Sequence, residues 1–250
     1  MYSLSFKQYG QGKPIILLHG FPMNQTVWED FIPLLSDTHK VITVDLPGFG
    51  KSPLSQLPFT IDQIADSLLS WLSTEKISGA TVIGHSLGGY VALAMVDKKP
   101  ELFSGLGLFH STALADSEEK KESRLKVVDF IRKNGVLGFT SNFIPPLFAD
   151  QNHKAISTVR EIAVHSVHDA VVGYTLAMRN RPDRTSVLKK FKMPILFLAG
   201  EADAGISVDS ITKQAEQCKS PNVHILKQVA HMGMFENPEA CANIVRSFVS

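Results

Sequence analysis

The sequence predicts an α/β fold, with a mostly parallel central sheet flanked by helices and a helical insertion in its second half. Three observations carry this. Short apolar runs alternate with amphipathic stretches over residues 1–110, the alternation gives way to continuous helical spacing over 111–185, and it returns over 186–250. A strand buried on both faces reads as a short run of branched apolar residues, and a crossover helix reads as the amphipathic stretch between two such runs. The expected organisation is one core domain formed by 1–110 and 186–250, interrupted by a helical insertion at 111–185.

In chain order, residues 15–18, 41–44, 81–83 and 106–109 are the first expected strands. Between the first two, Val27, Phe31, Leu34 and Leu35 recur at helical spacing, as do Ile61, Ile64, Ala65, Leu68, Leu69 and Leu72 before the third. Thr60, with Gln63 three residues on, gives the second helix a capping box. In the insertion, Leu125, Val128, Ile131 and Arg132 keep helical spacing, with breaks at Gly135, Gly138 and Pro145-Pro146. The run Asp116-Ser117-Glu118-Glu119-Lys120-Lys121-Glu122 reads as a solvated helix start, with its acids first to complement the helix dipole. Strands at 194–198 and 223–226, with helices at 208–218 and 238–248, complete the pattern.

Composition narrows the function classes. The 250 residues are 44% hydrophobic and 20% charged, enough for a sizeable core, and 25 Lys plus Arg nearly cancel 24 Asp plus Glu. No single-sign field is available for a nucleic-acid backbone or an anionic membrane. No apolar run approaches the roughly 20 residues of a membrane span, and the start lacks a basic patch followed by an apolar stretch. A cytoplasmic protein is expected. Cys218 and Cys241 alone form neither a disulfide framework nor a zinc site, and no metal is expected.

The most specific motif is Gly84-His85-Ser86-Leu87-Gly88-Gly89, a G-x-S-x-G set between an apolar strand and the helix opening Tyr90-Val91-Ala92. A turn this sharp strains the serine backbone and lifts its hydroxyl clear of the sheet, while the free N–H groups of the following helix face any oxyanion formed there. Ser86 is therefore the candidate nucleophile. Among nine histidines, His231 is the candidate base, because it follows the last strand on a loop at the carboxyl edge of the sheet, where open α/β sheets bind ligands. His85 should point away from its neighbour, His19 should be structural, and His165 with His168 lacks the further ligand that a metal pair would need. The block Asp45-Leu46-Pro47-Gly48-Phe49-Gly50-Lys51-Ser52 is no phosphate loop, since Asp45 stands where the first glycine belongs.

These residues, together with His19-Gly20-Phe21-Pro22, Gly200-Glu201-Ala202-Asp203 and Ala230-His231, make nearly the whole chain resemble the α/β-hydrolase superfamily. The chain is similar to the branch of small esterases, enol-lactonases and cofactor-free haloperoxidases. The resemblance implies a triad in the order Ser86, Asp203, His231, with Asp203 chosen over Glu201 and Asp209 because the family's acid follows a strand-ending glycine, here Gly200. The segment Ala204-Gly205-Ile206-Ser207 departs from the family in lacking the proline often found after that acid. The resemblance also assigns the oxyanion hole to the backbone N–H groups of Phe21 and Leu87, and makes 111–185 a cap. Pocket candidates are Phe139, Phe143, Leu147, Phe148, Met178 and Met232, while Arg179, Arg181 and Arg184 are candidates for a substrate carboxylate, with surface placement expected for at least two.

The implied activity is cofactor-free hydrolysis of a small-molecule ester or lactone through an acyl-enzyme. Carbon–carbon bond hydrolysis, perhydrolysis and a ligand receptor with little turnover remain open, as does the choice between monomer and homodimer.

Overall fold

The computed structural model describes residues 4–54, 57 and 59–250. The apolar runs become β2 (Pro14–Leu18), β3 (Lys40–Val44), β4 (Ala80–His85), β5 (Phe103–Phe109), β6 (Ile195–Gly200) and β7 (Pro221–Leu226), each within a few residues of the sequence reading. A further strand, β1 (Phe6–Tyr9), was not foreseen, because four residues of half-buried alternation are too short a pattern to stand out. The sheet order is β1-β3-β2-β4-β5-β6-β7, with β1 antiparallel to β3 and all other pairs parallel.

Successive strand residues feed two separate cores. Ile16 and Leu18 pack on one face and Ile15 and Leu17 on the other, so β2 carries no polar residue on either side. The first face is covered by α1 (Ile61–Thr74), α2 (Leu87–Lys98) and α7 (Val208–Ala215), the second by α9 (Pro238–Val249) and a stretch around Trp28 and Phe31. The α1 capping box is present as expected, with the Gln63 N–H donating to Thr60 Oγ1 at 3.2 Å and the Thr60 N–H donating to Gln63 Oε1 at 2.9 Å. Burial outweighs the cap. Ile61, Ile64, Leu68, Trp71 and Leu72 are all buried, at about 1.5–3 kcal/mol each for the aliphatic side chains, against about 1 kcal/mol for a cap.

Two local expectations change. The segment around Val27 and Leu35 forms two single 3₁₀ turns, Gln25–Trp28 and Ile32–Leu34, rather than one helix. Pro33 lacks the N–H that a continuing helix requires, yet Val27, Phe31 and Leu35 still bury the face that the spacing assigned to them. The acidic run is only partly solvated. Helix α3 (Glu118–Phe143) starts under a Ser117 cap with Glu118 and Glu119 exposed, but Asp116 is buried against the guanidinium groups of Arg124 and Arg181. Arg181 reaches it from beyond α5 (His168–Arg179), a contact invisible to charge patterning along one segment.

Helix α3 bends at Gly135, whose φ of +70° lies in the left-handed region that favours glycine. With α4 (Ala155–Val164) and α5, it contributes side chains to both cores: Ile131, Phe139 and Tyr174 to one, Ile144, Phe148 and Val159 to the other. These helices therefore straddle the carboxyl edge of the sheet. A short α6 (Thr185–Lys190) leads back to β6. Among the described residues, no helix is long and apolar enough to cross a membrane.

Candidate active site

Strand order reverses between β3 and β4, on either side of β2, and such a switch point opens a crevice beyond the carboxyl ends of the strands. The loop after β2 carries His19, Gly20 and Phe21, and the turn after β4 carries Ser86, so the two elements meet there. Ser86 sits at φ 50°, ψ −112°, a strained conformation that costs on the order of 1–3 kcal/mol. Its N–H donates to Phe109 O at 3.0 Å and its carbonyl accepts from Ser111 Oγ at 2.7 Å, which hold the turn. The flanking glycines are obligatory. A Cβ on Gly84 would lie 2.1 Å from Gly88 C, and one on Gly88 would lie 2.4 Å from Leu18 O.

His231 lies on the loop after β7. Its Nδ1–H donates to Asp203 Oδ2 at 2.7 Å and its backbone N–H to Leu147 O at 2.9 Å. Asp203 stands on the loop after β6, where its Oδ1 accepts from the N–H groups of Gly205 (2.8 Å) and Ile206 (3.1 Å). Burial would push the Asp203 carboxyl up, but the His231 and His110 rings outweigh it and hold the group well below the usual carboxylate range. Glu201 and Asp209, the competing acids, are exposed.

Two supporting residues escaped the sequence reading. His110 is fully buried, with Nδ1 3.6 Å from Asp203 Oδ2, and burial lowers its pKa. It follows β5 directly, so the carboxyl-edge criterion that selected His231 also points to it. Glu236, in the short α8 (Gly233–Glu236), accepts from the backbone N–H groups of Ala149 (2.7 Å), Ala230 (3.1 Å) and Met232 (3.0 Å). It grips the His231 loop on both sides, through backbone contacts that leave no trace in residue spacing.

Four further histidines weighed in the sequence have partners of their own. His85 packs against the rings of Trp28, Phe109 and His231, and its Nε2–H donates to His231 O at 2.9 Å. His19 donates from Nδ1 to Gly20 O (2.9 Å) and accepts at Nε2 from the Leu46 N–H (3.0 Å), and burial lowers its pKa to about 4. It is therefore neutral in one fixed tautomer. His165 follows α4 and His168 opens α5, and they contact Glu161 and Asp169 respectively. Asp45, from the glycine-rich block, accepts from the N–H groups of Gln25 (2.8 Å) and Lys51 (2.9 Å).

A cavity of about 440 Å³ opens above Ser86, Asp203 and His231. Phe21, Phe139, Phe143, Leu147 and Met178 line it. Phe148 and Met232 do not: both are buried on the second face of the sheet, where Phe148 stacks on His153 at 5.2 Å between ring centres. Each follows a lining residue, Leu147 or His231, and turns the opposite way. Spacing also missed Tyr90, Lys120, Arg124 and Thr175, which line the cavity as well. Arg181 and Arg184, expected at the surface or on substrate, are buried in internal ion pairs with Asp116 (2.8 Å) and Asp62 (2.6 Å), and Arg179 reaches Glu122 at 3.9 Å. None of the three lines the cavity.

Comparison with known proteins places this geometry. A pimeloyl-[acyl-carrier protein] methyl ester esterase of Aeromonas hydrophila is 26% identical over 258 residues, covering 99% of each chain. The structure of a thermophilic esterase from Thermogutta terrifontis superposes with a TM-score of 0.93 at 30% identity, over 98% of this chain and 92% of that one. The enol-lactonase of Burkholderia xenovorans LB400 has the same fold, with a TM-score of 0.91 at 20% identity over 98% of this chain and 96% of that one. The family model described as "Alpha/beta hydrolase family" matches residues 15–244, and the chain belongs to that family of hydrolases.

Proposed function

We propose that this hydrolase cleaves an ester or lactone of a small, largely apolar substrate through an acyl-enzyme on Ser86. The observation that carries the reading is that a strained serine at the mouth of α2 and a hydrogen-bonded His231–Asp203 pair line one apolar cavity. In the first step, Ser86 Oγ bonds to the carbonyl carbon, His231 takes its proton, and the departing alkoxide leaves as the alcohol with that proton. In the second, water gives a proton to His231 and its oxygen to the acyl carbon. The acid departs and the proton returns to Ser86 Oγ.

Asp203 holds the His231 tautomer with Nδ1 protonated and stabilises the imidazolium, a task suited to a carboxylate kept charged. For the oxyanion, Leu87 is the first residue of α2, so its N–H has no carbonyl one turn back within the helix. Phe21 occupies the turn closed by the Met23 N–H on Gly20 O at 3.1 Å, and its N–H is the second donor in this reading. Each such donor is worth about 3–4 kcal/mol in the transition state. Helices α3 to α5 act as the cap that shapes the acyl site.

The test is steady-state hydrolysis of p-nitrophenyl esters of graded acyl length by wild type and Ser86→Ala. The expected result is multiple turnover that the substitution lowers by at least a thousandfold, on the order of a lost nucleophile. Turnover retained by folded Ser86→Ala would refute the assignment, and single-turnover behaviour in wild type would point instead to a receptor.

A further inference from the structure

We infer that one wall of the cavity is an anion subsite formed by Lys120 and Arg124, and that the substrate is an ester bearing a second, carboxylate group. The inference rests on the Ser86 chemistry proposed above and names the class of substrate it serves. Residues 120, 124 and 127 follow one stripe of α3, and all three line the cavity. Beyond the bend at Gly135, the same helix lines it with Phe139, Asn142 and Phe143. The cavity therefore has a cationic end and an aromatic end.

Three neighbouring cations are matched locally. Lys121 pairs with Glu118 at 2.7 Å, Arg179 with Glu122 at 3.9 Å and Arg184 with Asp62 at 2.6 Å. Lys120 has no carboxylate within ion-pair distance among the described residues. Arg124 gives only its Nε–H to Asp116. Its Nη1 lies 3.7 Å from Met178 Sδ, a weak acceptor, and its Nη2 meets no described acceptor. Arg181 is spent: it pairs with Asp116 at 2.8 Å, donates to Leu114 O at 2.9 Å, lies 3.9 Å over the Tyr90 ring and also feels Asp183. Setting aside Asp203, which is engaged by His231, three cations (Lys120, Arg124 and Arg181) thus share two carboxylates (Asp116 and Asp183), and the Lys120 ammonium is the group left unpaired.

A substrate carboxylate balances that charge. Asp203 also lines the cavity, and its charge opposes a phosphate dianion more strongly than a carboxylate monoanion. The guanidinium edge and the ammonium together offer charge-assisted hydrogen bonds to the two oxygens of a carboxylate, in a cavity otherwise lined largely by apolar side chains. Asp116, held ionised by its two arginines, keeps the Arg124 side chain oriented before substrate arrives.

The test compares kcat/KM for monomethyl succinate, glutarate and adipate with that for methyl butanoate, pentanoate and hexanoate. Wild type should favour one of the half-esters by about ten- to a hundredfold, the usual value of a hydrogen bond to a charged group. Lys120→Gln and Arg124→Gln should each lower that ratio by about tenfold or more. Arg124→Gln also strips a partner from buried Asp116, so Lys120→Gln is the variant that separates recognition from folding. Calorimetric titration of Ser86→Ala, with and without Lys120→Gln, against monomethyl glutarate and methyl pentanoate reads the subsite without chemistry. Tighter half-ester binding that Lys120→Gln removes supports it; equal binding, or equal kcat/KM in wild type, overturns it. Failure of p-nitrophenyl acetate to turn over would overturn the serine chemistry alone, leaving the titration to judge the subsite.

Discussion

At the scale of single residues, the chain commits strain and burial to holding three side chains in one place. Ser86 is held in a left-handed turn, Asp203 is charged although buried, and His231 is fixed from two sides by one carboxylate. That carboxylate, Glu236, is the least obvious member. Glu236→Gln would turn an amide N–H₂ towards backbone donors, and the predicted outcome is a kcat lowered by about ten- to a hundredfold with KM moved far less, since displacing a base is costly to the chemical step. A kcat equal to that of wild type would mean that Leu147 O and Asp203 hold the His231 loop without it. The placement of Ser86, Asp203 and His231 around one cavity was legible because each occupies a chain landmark: a strand-to-helix elbow, a strand-ending glycine, a last-strand loop. Glu236 was not, since its partners are backbone atoms, whereas His110 stands at a carboxyl-edge landmark like that of His231 and was passed over.

Single elements were legible where one pattern decided them. The buried strands and α1 came through because continuous branched runs and a complete capping box each admit one reading. The stretch at 25–35 kept its apolar face but lost its helix to Pro33, where a local steric rule overrides periodicity. On loops, periodicity says nothing of direction, which is why Phe148 and Met232 were assigned to a cavity they turn away from. The α1 cap lies apart from the cavity and gives an element-scale prediction. Thr60→Ala should lower stability by about 1 kcal/mol in urea unfolding, with esterase activity unchanged. A loss beyond about 2 kcal/mol would mean that the residue carries more than the cap.

For the whole molecule, topology is what assembles the site. Three loops from the carboxyl edge of one mostly parallel sheet meet at one cavity, while the helical stretch across that edge supplies much of its lining. The same architecture buries His19, His85 and His110 in their neutral forms, each with its pKa lowered by burial. Below about pH 6.5 these histidines take up protons in the unfolded chain before they do so in the folded one, so stability falls as pH falls, by up to about 1.4 kcal/mol per pH unit for each. Asp203, depressed instead, adds stability above about pH 4 that is lost only in stronger acid. The urea midpoint should therefore drop between pH 7 and pH 5. A midpoint unchanged over that window would contradict the burial of neutral histidines. The central claim, that Ser86 is the nucleophile activated by His231, is tested most directly by treating the folded protein with a fluorophosphonate ester and mapping the adduct by peptide mass spectrometry. The account predicts one adduct, on Ser86, formed far more slowly in His231→Ala; ester turnover with no adduct on Ser86, or labelling as fast without His231, would contradict it.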